Sequence, residues 1–565
     1  MSTKRWQIYP TLTPEAQKEL SNYPPFFRQI LFNRGYATQK SSKVFLAEIP
    51  SPEHDPFLIH GIEEATNRIL FALEKKQSIS VYGDYDVDGV TATALLTLFL
   101  KSVGGSVTGY IPNRFDEGYS LNKEAITNLH EQGTDLIITV DCGVRSIEEV
   151  DYANTLGIDI IISDHHHPGN ELPRAFAVID PKQSDDSYPE KNLAGVGLAY
   201  KISSAISQRL NSRQYRAADY LDLVALGTVS DLAPLVGENR SLVRDGIDLL
   251  RRTNRQGLYS LMKVCGINPE KVNASNIGYS IGPRLNAAGR LNSALAAYNL
   301  LISDDLNEVS KIAQDLDYQN KQRQEITIKI QEKAEKLAIE YEPNPLLLFA
   351  ADKSFNPGVV GLAASKLAEE FYRPAIVAHI GDKYSRGSCR SIPEFHITEA
   401  LDQCKDILEH HGGHAAAAGF TVKNENLPEL RKRLSEIASS QLNKIDLLPT
   451  INADLEIKLS ELTPDLLPYL DKLQPTGYGN PQAKFLCRGL QPIYHRQVGR
   501  DGNHLKLKVS DGWITYDAIA FNQGYWHEHM PKYIDIIFTF EINEYQGRKN
   551  LQLNIKDLKS SNSNL

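Results

Sequence analysis

Apolar residues in the first half of the chain come in short unbroken runs rather than in alternation. Ser78-Ile79-Ser80-Val81-Tyr82, Leu136-Ile137-Ile138-Thr139-Val140, Ile158-Asp159-Ile160-Ile161-Ile162 and Ala175 to Ile179 are four such runs. The stretches between them carry helix formers, as in Val90 to Leu100, closed by Gly104-Gly105. Unalternating β-branched runs separated by helical patterns predict a parallel sheet covered on both faces. Asp315 to Glu340 contains no Gly or Pro and is rich in Gln, Lys, Glu and Ile. It predicts a long amphipathic connecting helix, stopped by Tyr341-Glu342-Pro343. Leu346 to Ala350 and Ala375 to Ala378 read as strands of a smaller α/β unit, with tight backbone at Gly412, Gly413 and Gly419. Beyond about Leu447 the period drops to two. His504 to Val509 alternates apolar and basic residues, Ile534 to Phe540 and Asn550 to Ile555 are further strands, and Tyr545-Gln546-Gly547-Arg548 is the turn between them. Such a pattern predicts a small antiparallel barrel. The expected division is an N-terminal segment 1–45, a sheet domain 46–303, a connecting helix 304–342, a second α/β domain 343–446, a barrel 447–558 and a disordered tail 559–565.

With 565 residues, several domains are expected. The apolar share of 41% and charged share of 23% are those of a soluble globular protein. No apolar stretch reaches the ~18 residues of a membrane span. Met1 to Pro10 is polar and lacks the apolar segment of a signal peptide, so a cytoplasmic protein is expected, with no membrane contact. The five cysteines are scattered without a CxxC pair, which supports neither a disulfide framework nor a zinc ribbon. Cys142, beside Asp141, reads as a small buried residue rather than a nucleophile. The net charge of −9 does not point to a nucleic-acid binder. It is a weak veto, because two divalent ions in an aspartate cluster would return about four positive charges locally.

Candidate chemistry gathers where the apolar runs stop. The first is followed by Gly83-Asp84-Tyr85-Asp86-Val87-Asp88-Gly89, the second by Asp141-Cys142-Gly143, the third by Asp164-His165-His166. Asp231 follows the apolar stretch Val224 to Ser230. An aspartate after a strand is also an ordinary turn residue or helix N-cap. The DxDxDG pattern resembles a calcium loop, but it lacks the glutamate at the twelfth position. Four segments delivering hard oxygens and imidazoles from similar positions point to a two-metal hydrolytic site suited to Mn²⁺ or Mg²⁺.

On these residues the chain resembles the DHH phosphoesterase superfamily, named for the Asp164-His165-His166 signature, and within it the RecJ family of single-strand-specific 5′→3′ exonucleases. Ile281-Gly282-Pro283-Arg284-Leu285-Asn286-Ala287-Ala288-Gly289-Arg290, Ser388-Cys389-Arg390-Ser391, Gly412 to Gly419 and Pro475-Thr476-Gly477-Tyr478-Gly479-Asn480-Pro481 carry the narrower likeness. The resemblance implies an α/β multidomain chain: a parallel-sheet DHH catalytic domain, a connecting helix, a DHHA1 substrate-binding domain and a C-terminal OB-fold barrel. It also implies that Asp86 and Asp141 hold one metal, while Asp88, Asp141, His165 and Asp231 hold the other, with Asp84 as a further ligand. His166 would support the site or touch the scissile phosphate. Arg290, Ser388, Arg390, Gly412, Gly413 and His414 are the implied substrate-binding residues. In the barrel, Lys506 and Lys508 form a basic stripe, and Tyr494, Trp513, Tyr516, Phe521 and Tyr545 are candidates either to stack bases or to fill the core. The implied partners are single-stranded DNA with a 5′ end, single-strand-binding protein and a RecQ-type helicase, with the chain a monomer acting in recombination and repair. Where the family carries Trp-His, this chain has Phe355-Asn356, so no imidazole is available there.

Two other classes compete. Small-substrate DHH phosphoesterases are shorter and lack the barrel. A non-catalytic DNA-binding relative has lost much of its metal site, whereas Asp86, Asp88, Asp141, His165, His166 and Asp231 are all present here.

Overall fold

The computed structural model describes residues 4–49, 53–113, 120–211, 214–291, 293–545 and 547–561. Its first α/β body is built on a five-stranded parallel sheet. The strands lie in the order Ser106–Tyr110, Ser78–Gly83, Leu136–Val140, Asp159–Ser163, Ala177–Ile179. The unbroken apolar runs are explained by the two cores they feed. Ile79, Val81, Ile138, Val140 and Ile161 face one side, with helices Val87–Ser102 and Gly195–Leu210. Tyr82, Ile137, Ile160 and Ile162 face the other, with Lys123–Glu131 and Ile147–Thr155. Winding starts at Ser78–Gly83, goes outward to Ser106–Tyr110, then reverses across Leu136–Val140. The reversal opens a crevice at the carboxyl ends of Ser78–Gly83 and Leu136–Val140, the usual ligand position in such sheets.

Helix Leu306–Tyr341 has 36 residues and lies within the 304–342 expected of the connecting helix. Asp305 caps it, accepting from the N–H groups of Asn307 and Glu308 at 2.8 and 3.2 Å. At 1.5 Å per residue it runs about 54 Å, packing on helix Gly282–Leu291 of the first body and on Leu348–Asp352 and Val360–Phe371 of the second. The second body has the sheet order Leu408–His414, Ala417–Lys423, Tyr384–Arg390, Ala375–Ile380, Leu348–Asp352, with only the last pair parallel. Gly412, Gly413 and Gly419 lie within strands, and at Gly413 a Cβ would come within 2.3 Å of the Ala417 carbonyl.

The barrel closes through Phe485–Val498, His504–Ser510, Thr515–Ala520, Arg548–Ser560 and Ile534–Tyr545, back to Phe485–Val498. It is not wholly antiparallel, because Thr515–Ala520 and Arg548–Ser560 run parallel. Five strands in a ring cannot alternate direction throughout, so one pairing must be parallel. The last strand reaches Ser560, inside the stretch expected to be a tail, while 562–565 and Gln546 of the last turn lie outside the described residues.

Residues 1–45 were expected as a segment apart. Instead Arg5–Ile8 pairs in parallel with Thr450–Ala453, and Leu20, Phe27, Ile30 and Leu31 complete the barrel core. Arg34 pairs with buried Asp454 at 2.9 Å. Arg240, buried on the first body, donates to the carbonyls of Phe45, Lys472, Leu473, Gln474 and Pro475 at 2.8–3.1 Å. One guanidinium thereby ties three parts of the chain together. Among the described residues no helix is long and apolar enough to cross a membrane.

Candidate metal centre and phosphate cradle

The aspartates sit where the sheet crevice predicts. Asp84 follows strand Ser78–Gly83. Asp86 caps helix Val87–Ser102, its Oδ1 accepting from the N–H groups of Asp88 and Gly89 at 2.9 and 3.2 Å. Asp88 points across to the start of helix Gly195–Leu210 and accepts from Gly195 N–H at 2.6 Å and Val196 N–H at 2.9 Å. Asp141 follows Leu136–Val140 in the left-handed region, φ 62°. That strained backbone for a non-glycine residue is of the kind kept at functional sites. Gly195 is required beside it, since a Cβ there would lie 2.6 Å from the Asp141 Cβ. Motif helix Gly282–Leu291 leans on the same loop: Asn286 Oδ1 accepts from Val87 N–H at 3.2 Å, and a Cβ on Gly289 would meet the Tyr85 carbonyl at 2.6 Å.

Asp164 is a brace. Its carboxylate accepts from the N–H groups of Val144 at 2.9 Å, His165 at 2.8 Å and His166 at 3.1 Å, and pairs with His166 Nδ1 at 2.8 Å. The brace turns His165 inward, Nε2 lying 3.0 Å from Asp141 Oδ1 and 3.7 Å from Asp88 Oδ2. His165 Nδ1 lies 4.0 Å from Asp231 Oδ2.

Three groups of possible ligand atoms each fall within 4.8 Å: Asp84, Asp86 and Asp141; Asp88, His165 and Asp231; Asp141, His165 and His166. Among the described residues, Asp141 Oδ1 and His165 Nε2 are buried without a hydrogen-bond partner. Orphaned buried polar atoms aimed at one another, amid carboxylates, fit a pair of divalent cations. The electrostatics agree. Burial, then the neighbouring carboxylates, push Asp88 and Asp141 well above the usual range. Asp231 is pushed up to about 7 by burial and Asp86. His165 is pushed down to about 3 by burial and by His166, which keeps it neutral and able to ligate. Burial opposes charge on His166, yet Asp164 lifts it to about 9. Cys142 is buried, and burial drives its thiol well up, as expected of an inert residue.

A second cluster lies in the α/β body that follows. Arg390 Nη1 donates to Ser388 Oγ at 3.1 Å and to the Cys389 carbonyl at 2.8 Å. A Cβ on Gly361 would lie 2.9 Å from Ser388 Oγ and 3.3 Å from Arg390 Nη2, so both groups face the first turn of helix Val360–Phe371. That helix has no side-chain N-cap bond. Arg290 arrives from the first body, and its Nη1 donates to the Gly358 carbonyl at 3.4 Å. Asn356 accepts from Gly358 N–H at 2.8 Å and so shapes the entry to the helix. His414, on the edge strand with Gly412 and Gly413, meets His167 with ring centroids 5.9 Å apart.

Lys506 and Lys508 lie on barrel strand His504–Ser510, opposite Arg496 and Tyr494. Arg496 completes the stripe; only pairing across strands reveals it. Trp513 is 94% exposed and Phe521 and Tyr494 are half-exposed, whereas Tyr516 packs edge-on against Phe540 and donates to the Leu462 carbonyl. Tyr516 is therefore a core residue, and the side chain of Tyr545 lies outside the described residues.

Comparison with known proteins matches residues 78–228 to the DHH family, N-terminal domain, 344–440 to the DHHA1 domain and 453–557 to the RecJ OB domain. The single-stranded-DNA-specific exonuclease RecJ of Bacillus subtilis (strain 168) is 39% identical over 565 residues, covering 98% of this chain and 71% of its own. This chain belongs to the RecJ family. The crystal structure of RecJ in complex with Mn²⁺ from Thermus thermophilus is similar at a TM-score of 0.83 and 29% identity, covering 99% of this chain and 80% of that one. RecJ in complex with Mg²⁺ from the same organism gives 0.79 and 27%, covering 99% and 79%. The three domains in this order, and a centre suited to Mn²⁺ or Mg²⁺, are those of the RecJ family.

Proposed function

We propose that this chain is a single-stranded-DNA-specific 5′→3′ exonuclease. It releases 5′-mononucleotides by phosphodiester hydrolysis at a pair of Mn²⁺ or Mg²⁺ ions, in DNA recombination and repair. The observation that carries the reading is the meeting of Asp141 Oδ1 and His165 Nε2, buried and unpartnered among further carboxylates. Asp84, Asp86 and Asp141 would hold one ion, and Asp88, Asp141, His165 and Asp231 the other. When bound, such ions supply a water of lowered pKa and stabilise charge on the phosphate.

The remaining groups handle the strand. Arg290, Ser388, Arg390 and the open first turn of Val360–Phe371 suit a terminal 5′-phosphate, because guanidinium forks and helix N-termini both favour phosphate oxygens. His166, kept charged by Asp164, offers a cation to a phosphate oxygen. An oxygen of water joins the first internucleotide phosphorus while the bond to the 3′ oxygen of the terminal nucleotide breaks. That oxygen takes up a proton, and the new 5′-phosphate stays on the shortened strand for the next cycle. Gly412, Gly413 and His414 give the backbone a close approach along an exposed edge. Lys506, Lys508 and Arg496 would guide the strand electrostatically, with Tyr494 as a stacking surface. Single-strand-binding protein and a RecQ-type helicase would supply the strand, and co-sedimentation with each tests that part.

The direct test is digestion of single-stranded DNA labelled at either end, with Mn²⁺. Labelled mononucleotide should leave the 5′ end, a 3′ block should be harmless, and blunt duplex should survive. Cleavage of dinucleotides or pyrophosphate alone would move the chain to the small-substrate phosphoesterases.

A further inference from the structure

Among the described residues, two cations beside the metal centre give their side-chain hydrogen bonds to carbonyls. Arg145, in the loop after strand Leu136–Val140, gives its Nε–H to the carbonyl of His167 at 2.8 Å. Lys182, just after strand Ala177–Ile179, gives an ammonium proton to the carbonyl of His165. Among the described residues neither forms an ion pair with a carboxylate. The carboxylate nearest to Lys182 in the chain, Asp180, is buried and accepts from the Lys182 backbone N–H at 2.8 Å. The exposed ring of His167 faces His414 of the second α/β body. Lys182, His414, Arg145 and His166 are all within electrostatic reach of that ring.

The surrounding charge does not account for this cluster. Two divalent ions among Asp84, Asp86, Asp88, Asp141 and Asp231 would cancel about four of their charges. Asp164 is already matched by His166. Lys182 keeps Asp180 and Asp231 within electrostatic reach, but Asp180 is buried, and exposed Arg145 has no carboxylate in ion-pair contact among the described residues. A cationic group across a domain seam, with Arg145, His167 and His414 exposed and Lys182 partly buried, at the mouth of a site that hydrolyses phosphodiesters, calls for an anion from the substrate.

We propose that Arg145, His167, Lys182 and His414 form a second phosphate subsite, spanning the seam between the two α/β bodies. It holds an internucleotide phosphate on the 3′ side of the one being hydrolysed. The assignment rests on the nuclease reading above: with the 5′-phosphate at Arg290 and Arg390, further phosphates of the strand can only lie 3′ of the metal centre.

The test pairs an Arg145→Gln/Lys182→Gln variant with a substrate lacking one charge. Oligonucleotides carrying a neutral methylphosphonate at the second or third linkage are digested with Mn²⁺ by wild type and variant. At one of these linkages the wild type should lose about 10- to 100-fold in kcat/KM, the worth of one charged hydrogen bond. The variant should lose nothing further there. Its kcat/KM should also fall less steeply with salt, by about 0.7 in log–log slope for the one phosphate contact removed. Equal losses in both proteins, with an unchanged salt slope, would overturn the subsite and leave these residues a structural role. Failure of the nuclease reading shows separately, as wild type releasing no mononucleotide from the unmodified strand.

Discussion

Asp164→Asn separates a brace from a ligand. The Asp164 carboxylate is 2% exposed and meets four donors, three backbone N–H groups and the His166 ring, at 2.8–3.1 Å. A charged acceptor is worth about 1.5–3 kcal/mol per hydrogen bond and a neutral one about half as much. The amide also turns one acceptor position into a donor that faces a donor. Summed with allowance for non-additivity, the metal-free protein should lose about 3 kcal/mol of stability, read from its first unfolding transition in urea. Metal binding should respond differently. Asp164 belongs to none of the three ligand groups, so equilibrium dialysis should still count two Mn²⁺ per chain. Affinity should fall by the 10- to 100-fold, roughly, that goes with losing a group that orients a metal ligand. Catalysis should fall further, because His166 loses the partner that keeps it charged. Loss of one whole ion, or a stability change below about 1 kcal/mol, would refute the assignment of Asp164 as a brace.

Other expectations are as direct. Arg390→Gln should reduce discrimination between 5′-phosphorylated and 5′-hydroxyl strands by about 10- to 100-fold, the worth of one charged hydrogen bond, read as a ratio of kcat/KM. Arg240→Met leaves five carbonyls without their donor, and should cost about 3–5 kcal/mol and open the Lys472–Pro475 segment to limited proteolysis. Lys333 and Ser354 hold the Asp352 carboxyl down to about 2. The contribution of Asp352 is therefore full above the unfolded value of about 4 and disappears as pH falls towards 2. At this partly exposed pair it amounts to about 1 kcal/mol or less, so acid unfolding of Asp352→Asn should converge with wild type at the low end and fall below it near neutrality.

The candidate site was legible because Asp84, Asp141 and His165 lie just past apolar runs whose period identifies buried parallel strands, and sheet topology then brings those strand ends together, while Asp231 closes helix Leu221–Ser230. Asp84, Asp86, Asp88, Asp141 and His165 needed no knowledge of packing to be grouped. Asp164 was visible as a carboxylate, but its role was not: only the N–H groups of Val144, His165 and His166 turned towards it make it a brace. The N-terminal strand was hidden because Arg5 pairs with Thr450, a partner at the other end of the chain. No local pattern records such a pairing. Arg145 and Lys182 were missed for a different reason: an isolated exposed cation carries no periodicity, and its meaning lies in the carbonyls and rings around it. Tyr516 and Trp513 looked alike as barrel aromatics until the structure placed Trp513 exposed in the turn before strand Thr515–Ala520 and Tyr516 on that strand against Phe540.

The most direct test of the central claim counts ions and products together. Wild type and Asp141→Ala are compared for Mn²⁺ stoichiometry and for mononucleotide release from a 5′-labelled single strand. The expected result is two ions and processive or stepwise release for wild type. For Asp141→Ala, at least one ion and essentially all release should be lost, with the fold retained by circular dichroism. Undiminished release by Asp141→Ala, or hydrolysis by a wild-type protein that binds no divalent ion, would contradict a two-metal centre bridged by Asp141.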